Sequence, residues 1–313
     1  MDRAFSDGGD GLIPGYRLVF YQEEEVEAYL SQIFFQAING LVWGFIVALI
    51  ALGLTLIFGL LHVINVAHGA FYMMGAIIAF YIERVTGNFW LALFLAPLIV
   101  GGIGLCLERG VIRPVEGKPV ITIIVTFGLL LIFQQLALAT FGGAPQRLLP
   151  PIDGGFPLVG FRYPFYRIFV AIFSLLTLSG LWLFLYKTKY GLWMRAVQYD
   201  REMAIGLGIP ANAVYFMTFG LGALVAGLGG VLAAPIVVVS FKMGLDILVI
   251  AFIVVIVGGL GSIKGSVLAA ILIGELEGIS SVFVSPVIAR VFSLVFMITV
   301  LMVRPEGLFG KER

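Results

Sequence analysis

Long apolar segments alternate with short charged clusters along almost the whole chain. Residues 28–82, for example, contain no Asp, Glu, Lys or Arg, and this stretch is long enough for two membrane crossings of about 20 residues each. With the charged clusters taken as loops, the pattern predicts apolar helices at residues 33–58, 67–82, 85–107, 119–141, 168–186, 213–238, 247–260, 267–282 and 286–303. The sequence therefore predicts an all-α, polytopic membrane protein with about eight or nine transmembrane segments.

The composition also indicates a membrane protein without a soluble enzyme domain. Charged residues make up 12% of the chain and the mean hydropathy is +1.09, both outside the range of soluble globular domains. We expect an acidic N-terminal extension at residues 1–30, a transmembrane domain at 31–305 and a C-terminal tail at 306–313. The net charge of +1 argues against a nucleic acid partner, because a phosphate-binding surface needs clustered Lys and Arg.

Few residues are suited to catalysis or to metal binding. Two histidines and one cysteine exclude most zinc sites, and the sequence has no H-E-x-x-H or G-x-S-x-G motif. The glycine-rich "GGLGSIKGS", residues 258–266, has its lysine before the glycine, unlike a phosphate loop, and apolar segments flank it. We therefore predict no catalytic residue, no metal site and no nucleotide hydrolysis by this chain.

The positive charges predict the orientation in the membrane, since short cytoplasmic loops are enriched in Lys and Arg. The loop at residues 187–212 carries two lysines and two arginines, which places it in the cytoplasm. Alternation then places the C-terminus in the cytoplasm and the acidic N-terminus on the periplasmic side. The far-side loop at residues 142–167 holds three arginines, but long loops have less weight in this rule.

Two glycine-rich interruptions lie in the two halves of the chain, at "GLLHVINVAHG" (residues 59–69) and at "GGLGSIKGS". Glycine allows helices to approach closely, or to break where protein or water satisfies the freed backbone groups. Interruptions at corresponding positions of two halves indicate a transport pathway built from an inverted repeat. Tight helix packing is the alternative, and it explains the glycines nearly as well. It leaves Asn65, His68 and Lys264 at membrane depth without a role.

Polar residues in and near the interruptions are the candidate pathway residues. We expect Gly59 and Gly69 to permit a break or a close approach, and Asn65 and His68 to line or bridge the pathway. For His68 the alternative is a structural hydrogen bond between helices. Glu277 lies in an apolar run and is a candidate by location, with a hydrogen bond inside the bundle as its alternative.

The cytoplasmic loop contains a short amphipathic segment, "TKYGLWMRAVQYDREMAIGLGIP", residues 188–210. With residues 193–204 wound as one helix, the apolar side consists of Trp193, Ala196, Val197, Met203 and Ala204, and the polar side of Arg195, Gln198 and Glu202. Asp200 interrupts the apolar stripe, and Gly206, Gly208 and Pro210 end the helix. Such a helix lies on the bilayer surface or docks in a groove of a cytoplasmic partner, and the pattern does not separate the two.

Several stretches of the chain resemble the LivH-type permease subunits of branched-chain amino acid ABC transporters. The resemblance covers residues 32–310 and is specific when the stretches are taken together, whereas "NVAHG" at residues 65–69 alone is only suggestive. The stretches are "INGLVWGFIVALIALGLTLIFGLLHVINVAHGAFYMMGA", "TIIVTFGLLLIFQQLA", "GLWMRAVQYDREMAIGLGI", "VVIVGGLGSIKGSVLAAILIGELEGI" and "VRPEGLFG".

The resemblance implies a transport subunit of the bacterial inner membrane with no ATPase site of its own. Its expected partners are a second homologous permease subunit, two cytoplasmic ATP-binding subunits, a periplasmic solute-binding protein and membrane lipid. ATP is then bound by the partner subunits, and this chain needs no cofactor. By the same resemblance the loop at 187–212 is the segment that couples to an ATP-binding subunit. The expected coupling residues are Gly191, Trp193, Arg195, Ala196, Asp200, Ala204 and Gly208.

Departures from the family's pattern leave the cargo open. Glu275 stands where an apolar residue is expected beside the more usual Glu277, and Lys264 stands where proline is common. Both are candidate pathway residues, since they could pair with each other or tune the substrate. The expected cargo is a branched-chain amino acid or a related small polar solute, such as urea, an amide or an aromatic carboxylate. The competing interpretation is a secondary transporter or channel that works alone.

Overall fold

The computed structural model describes the backbone at residues 14–61, 64–158 and 161–310, and the side chains in these ranges from Tyr29 onward. The helices are α1 (Pro14–Leu61), α2 (His68–Thr86), α3 (Phe89–Leu107), α4 (Pro119–Phe141), α5 (Phe165–Lys187), α6 (Lys189–Tyr199), α7 (Arg201–Gly206), α8 (Ala211–Ala233), α9 (Met243–Gly258), α10 (Ile263–Ser280) and α11 (Pro286–Val303). A short antiparallel hairpin of β1 (Gly155–Leu158) and β2 (Phe161–Pro164) lies in the connection between α4 and α5.

The helices confirm the predicted all-α, polytopic membrane fold. Each predicted apolar segment overlaps one helix, and α6 and α7 lie in the predicted cytoplasmic loop. In the described part of the chain, six helices are long and apolar enough to cross a membrane, namely α1, α3, α4, α5, α8 and α11. The remaining long helices are shorter or more polar: α9 has 16 residues, α2 contains Glu83 and Arg84, and α10 contains Lys264.

Helix α1 continues across the predicted boundary of the acidic extension. It begins at Pro14 and ends at Leu61, with no break at residue 30. Residues 1–13 and 311–313 lie outside the described residues. The division into an extension, a transmembrane domain and a tail therefore stays a prediction.

Small and polar residues between the apolar runs set the helix ends. Gly87, with φ of 65°, forms the left-handed turn that ends α2. The side-chain oxygen of Asn88 accepts hydrogen bonds from the backbone N–H groups of Trp90 (2.9 Å) and Leu91 (3.2 Å), which caps α3. Ser262 caps α10 in the same way, by accepting a hydrogen bond from the N–H of Gly265 at 3.2 Å.

Helices α1 and α8 form the centre of the bundle, and α4, α5 and α11 form its outside. The apolar residues of α1 and α8 are mostly buried, whereas most of the surface of the three outer helices is exposed. Helix α1 packs on α5, α8 and α10, and α8 packs on α1, α2 and α3. The glycine-rich helix α8 therefore lies in the interior, where small residues allow close approach.

Two reciprocal glycine pairs join the two halves of the chain through their backbones. A Cβ atom on Gly53 of α1 would lie 2.5 Å from the carbonyl oxygen of Gly222 of α8, and a Cβ atom on Gly222 would lie 2.8 Å from that of Gly53. In the same way, a Cβ atom on Gly69 of α2 would lie 2.1 Å from the carbonyl oxygen of Gly244 of α9, and a Cβ atom on Gly244 would lie 2.8 Å from that of Gly69. Real Cβ atoms essentially never come within 3.0 Å of such a neighbour, so these positions require glycine.

The packing around these pairs is that of an inverted repeat. Ile57 approaches Gly222 while Ile50 approaches Gly229, so α1 and α8 run antiparallel. Helix α2 packs on its counterpart α9. The contact between α1 and α10 is matched by the contact between their counterparts, α8 and α3. A pseudo-twofold axis that passes between the glycine pairs therefore relates α1–α4 to α8–α11, and it lies across the helices instead of along them.

The predicted correspondence of the two interruptions is wrong, although both interruptions exist. Gly59, near the end of α1, and Gly261, between α9 and α10, contact the same side chain, Gln198 of α6. Positions that correspond in an inverted repeat lie at opposite ends of the helices, so these two do not correspond. The counterpart of the α1–α2 interruption is the α8–α9 connection, residues 234–242, of which the sequence pattern predicted residues 234–238 to be helical.

Candidate functional site

The residues at the start of α2 are buried inside the bundle. The His68 side chain is fully buried, and its Nε2 atom shares a hydrogen bond of 2.9 Å with the carbonyl oxygen of Ile50 in α1. Its ring meets that of Phe71 edge to face, with centroids 5.9 Å apart. Asn65 is also buried, and its Oδ1 accepts a hydrogen bond of 3.1 Å from the N–H of Ala67. With Gly69 against α9, these contacts hold the start of α2 in place.

An open apolar groove of about 620 Å³ lies between α1, α5 and α10. Its lining includes Phe45 and Leu52 of α1, Leu178 and Trp182 of α5, and Lys264, Leu268 and Ile271 of α10. Glu275 follows these residues of α10 at helical spacing and lies about 16 Å along the axis from Lys264. The same stripe of α10 thus carries a cation and an anion with apolar side chains between them.

The predicted pathway residues therefore fall into separate places. Lys264 lines the groove and Glu275 lies on the same stripe of α10, whereas Asn65, His68 and Gly69 lie in the packed interior and are not part of the groove lining. Glu277 lies on the side of α10 that faces α11. There the hydroxyl of Ser293 donates a hydrogen bond to the carboxylate of Glu277 at 3.1 Å.

The coupling segment consists of two helices, so the prediction of one continuous helix is wrong. Asp200 has an extended backbone and separates α6 from α7, and its Oδ1 caps α7 by accepting from the N–H of Met203 at 2.9 Å. Gly208, with φ of 83°, lies in the turn that follows α7. At the other end, Thr188 caps α6 by accepting from the N–H of Gly191 at 3.2 Å.

The inner face of α6 is packed on the end of α5. A Cβ atom on Gly191 would lie 2.1 Å from the carbonyl oxygen of Leu185, so glycine is needed where α6 folds back. The guanidinium of Arg195 donates a hydrogen bond to the same carbonyl oxygen and lies 4.8 Å from the centre of the Tyr186 ring. Arg195 therefore anchors α6 inside this chain, although the sequence pattern placed it on an outward polar face.

Other predicted coupling residues also face inward: Ala204 is buried, and Trp193 and Ala196 are half-buried. Met194 and Val197 of α6 are buried beside them. Gln198 is half-buried as well, although the sequence pattern placed it on the outer face with Arg195.

The outer face of α6 and α7 carries apolar side chains that the sequence reasoning missed. Tyr199 is 90% exposed, Leu207 76% and Met203 64%, and Leu192 and Ile205 are exposed beside them. The signal was Asp200: because it separates the two helices, Met203 does not continue the inner stripe of α6. We call Leu192, Tyr199, Met203, Ile205 and Leu207 the outer apolar face.

Charged contacts fix this segment to the neighbouring helices. The carboxylate of Glu116, after α3, lies 3.3 Å from the guanidinium of Arg201 in α7. Arg113 pairs with the buried Glu108 at 3.2 Å and donates a hydrogen bond to the carbonyl oxygen of Asn212 at 3.1 Å. A movement of α7 is thereby shared with the α3–α4 connection and with the start of α8.

The opposite end of the bundle carries a polar cluster between α1 and the hairpin. Arg167 donates a hydrogen bond to the side-chain oxygen of Asn39, whose amide donates to Gln36 at 2.9 Å. Burial raises the pKa of the Tyr163 hydroxyl, and the neighbouring positive charge of Arg167 partly offsets this rise. No group of three or more His, Cys, Asp or Glu residues in the described ranges could hold a metal ion.

Comparison with known proteins gives a consistent result. The sequence model of a family described as "Branched-chain amino acid transport system / permease component" matches residues 36–301. The high-affinity branched-chain amino acid transport system permease protein LivH of Escherichia coli (strain K12) is 31% identical, over 92% of this chain and 97% of that protein. LivH of Salmonella typhimurium is 30% identical and the permease protein BraD of Pseudomonas aeruginosa 29% identical, with the same coverage of each chain.

Proposed function

The chain belongs to the family of branched-chain amino acid transport system permease components, and from this premise we propose that it is the permease subunit of an ATP-driven importer. The cargo is a branched-chain amino acid or a related small polar solute, such as urea, a short amide or an aromatic carboxylate. The observation that carries the proposal is the outer apolar face of α6 and α7, which lies outside the predicted membrane spans.

An exposed apolar face at the end of a helix bundle favours a protein partner. Scattered single apolar residues are common on surfaces, but Tyr199, Met203 and Leu207 recur at every fourth position, are largely exposed and lie on or directly after capped helices. Large apolar side chains on a rigid helix face are typical anchors for a groove of another protein. In the proposed assembly the partner is a cytoplasmic ATP-binding subunit.

The complete assembly contains a second homologous permease subunit, two ATP-binding subunits and a periplasmic solute-binding protein, surrounded by membrane lipid. The chain itself is a multi-pass membrane protein. We place α6, α7 and the C-terminus in the cytoplasm and the N-terminus in the periplasm of a bacterial inner membrane, as the distribution of Lys and Arg favours. ATP is bound and hydrolysed by the partner subunits, and this chain holds no cofactor.

The groove between α1, α5 and α10 is the proposed contribution of this subunit to the transport pathway. Lys264 and Glu275 lie about 16 Å apart on one stripe of α10, too far apart to bind both charged groups of one amino acid at once, so the carboxylate and the ammonium group of such a cargo would meet them at different points along a largely apolar surface. Closure of the ATP-binding subunits moves α6 and α7, and the groove opens to one side of the membrane and then to the other. The cargo shifts this equilibrium only by its different affinity for the two states.

The experiment is purification of the tagged chain from its native membrane, followed by mass spectrometry. We expect an ATP-binding subunit and a second permease in stoichiometric amounts. The double variant Tyr199→Asp, Met203→Asp should lose the ATP-binding subunit, because charge is placed in an apolar contact. Leu149→Asp, a matched change at an exposed apolar residue of the α4–α5 connection, should retain it.

A monodisperse wild-type preparation without an ATP-binding subunit would contradict the proposal. Uptake by that preparation under an ion gradient would then identify a stand-alone secondary transporter or channel.

A further inference from the structure

The Gln198 side chain joins α6 to both interruptions at this end of the bundle. Its Nε2 atom lies 3.5 Å from the carbonyl oxygen of Gly261, to which it donates a hydrogen bond. A Cβ atom placed on Gly59 would lie 2.8 Å from this Nε2 atom. The two glycines are also close to each other, since a Cβ atom placed on Gly261 would lie 3.7 Å from the Cα of Gly59. One amide group is thus in contact with the end of α1 and with the α9–α10 connection.

Both contacted residues lie where a helix changes direction. Gly59 is in the last turn of α1, which ends at Leu61. Gly261 has φ of 83°, a left-handed backbone that favours glycine, in the short connection between α9 and α10. Since neither glycine has a side chain, a displacement of the amide acts on the backbone itself.

The space around the amide allows movement. A cavity of about 20 Å³, enough for one water molecule, lies beside Gln198 and is lined also by Thr55, Thr218 and Gly261. The hydroxyls of Thr55 and Ser266 lie 2.6 Å apart, which ties α1 to α10 one turn deeper in the bundle. The amide therefore lies beside a small cavity between helices, with a mainly apolar lining, unlike the close-packed start of α2.

The connection at Gly261 leads directly to the groove. Helix α10 begins at Ile263, and Lys264 is its second residue and part of the groove lining. A rotation at Gly261 moves Lys264 and the first turn of α10 against α1 and α5. Arg195 fixes α6 to α5 on one side, and Gln198 contacts Gly59 and Gly261 on another, so a displacement of α6 reaches both glycines through Gln198.

We propose that Gln198 is a positioning residue that transmits movement of α6 to Gly59 and Gly261 and so to the groove. The proposal rests on the proposed function, because it needs an ATP-binding subunit to move α6. It assigns to one half-buried amide the contact of α6 with the backbone of Gly59 and Gly261.

The test measures the response of the groove to ATP, without any need to know the cargo. Leu268→Cys places a thiol in the groove, and the exposed Cys106 is first replaced by Ser. The rate of labelling by a membrane-impermeant maleimide is measured in the purified complex with and without ATP. We expect an ATP-dependent change in this rate, and in Gln198→Ala we expect the change to fall about tenfold, as loss of one hydrogen bond and its contacts allows.

Two further variants separate transmission from folding. Gln198→Glu keeps the size of the side chain but has no N–H to donate to the carbonyl oxygen of Gly261, so it should lose the response as well. Glu202→Ala, at an exposed residue of α7, should keep the full response. Hydrolysis of ATP and the amount of bound ATP-binding subunit should be the same in all of them.

The possible failures are distinct. If the complex purified with Gln198 unchanged contains no ATP-binding subunit, the proposed function is contradicted. Where that subunit is present and ATP is hydrolysed, a full ATP-dependent change in both Gln198 variants overturns only the role of Gln198.

Discussion

The interruption before α2 and the interruption before α10 are built from similar residues but are held in different ways. At the start of α2, His68 is fully buried against Ile50, and Gly69 is in backbone contact with Gly244. Between α9 and α10, Gly261 has a left-handed backbone and is approached by the half-buried Gln198 and by the Cα of Gly59, while Gly258 and Gly259 before it are in backbone contact with Gly265 and Gly310.

The difference teaches that a glycine in an apolar run marks a break but not its mobility. Mobility depends on what surrounds the break, because a closely packed interior resists any change of shape. The start of α2 is therefore expected to be a fixed joint. In the connection before α10 we expect movement to be centred on Gly261, because a Cβ atom there would meet nothing nearer than 3.3 Å, whereas Gly258 and Gly259 lie against Gly265 and Gly310. Substitutions at the first should change stability, and substitutions at the second should change transport.

Gly69→Ala should have the largest effect on stability. Its Cβ atom would lie 2.1 Å from the carbonyl oxygen of Gly244, and both backbones are confined, so we expect a loss of more than about 3 kcal/mol in the free energy of unfolding. The yield of monodisperse protein and its thermal unfolding in detergent measure this. Gly102→Ala in α3, where a Cβ atom would meet nothing within 4 Å, is the matched control and should behave like the wild type.

His68→Ala should have the second largest effect on stability. It removes the hydrogen bond to Ile50 and leaves a cavity in the interior, which should cost about 2 to 3 kcal/mol. If His68 is part of the fixed joint, transport per folded complex stays unchanged when uptake is normalised to the amount of assembled protein. Normal stability together with a large loss of transport would show instead that His68 contacts the cargo.

Gly261→Ala should destabilise the protein less than His68→Ala does and should inhibit transport more. An alanine at φ of 83° is strained by about 1 to 2 kcal/mol. Because the strain lies in the connection that is proposed to move, the rate of transport should fall further than the amount of folded complex. Equal losses in the two quantities would argue that this connection is as fixed as the start of α2.

Lys264→Ala should have the smallest effect on stability, below about 0.5 kcal/mol, because Lys264 is exposed. Its place in the groove predicts a weaker apparent affinity for a cargo with a carboxylate, seen as a raised KM of uptake with little change in kcat. Lys118→Ala, at an exposed lysine just before α4, should leave both constants unchanged. An unchanged KM in Lys264→Ala would remove Lys264 from the pathway.

Much of the fold follows from the sequence because membrane helices depend mainly on apolar length. The breaks near Gly59 and Gly261 were predictable, since glycine and polar residues interrupt apolar runs there. The break at residues 234–242 was missed, because the apolar pattern carried the predicted helix on to residue 238, past Pro235, which ends the helix. The resemblance predicts the segment at 187–212 to be the coupling segment, which stays a prediction; Gly191 and Ala204 are buried within it.

The detailed roles within the site depended on tertiary contacts. A helical period places Arg195 and Gln198 on a polar outer face, whereas Arg195 donates to Leu185 and Gln198 reaches Gly261. The period was applied across Asp200, where the helix stops, so Met203 was placed on the wrong face. Periodicity describes one helix, and it says nothing about which backbone carbonyls a neighbouring helix brings within reach.

The outer apolar face also has a consequence for the lifetime of the subunit. A copy without its partners exposes Tyr199, Met203 and Leu207 to water, and exposed apolar side chains on an unassembled subunit are the feature by which chaperones and proteases recognise incomplete proteins. In the proposed assembly, the ATP-binding subunit covers these side chains. Assembly would then determine how many copies persist in the membrane, so excess subunits would be removed without any separate control of their synthesis.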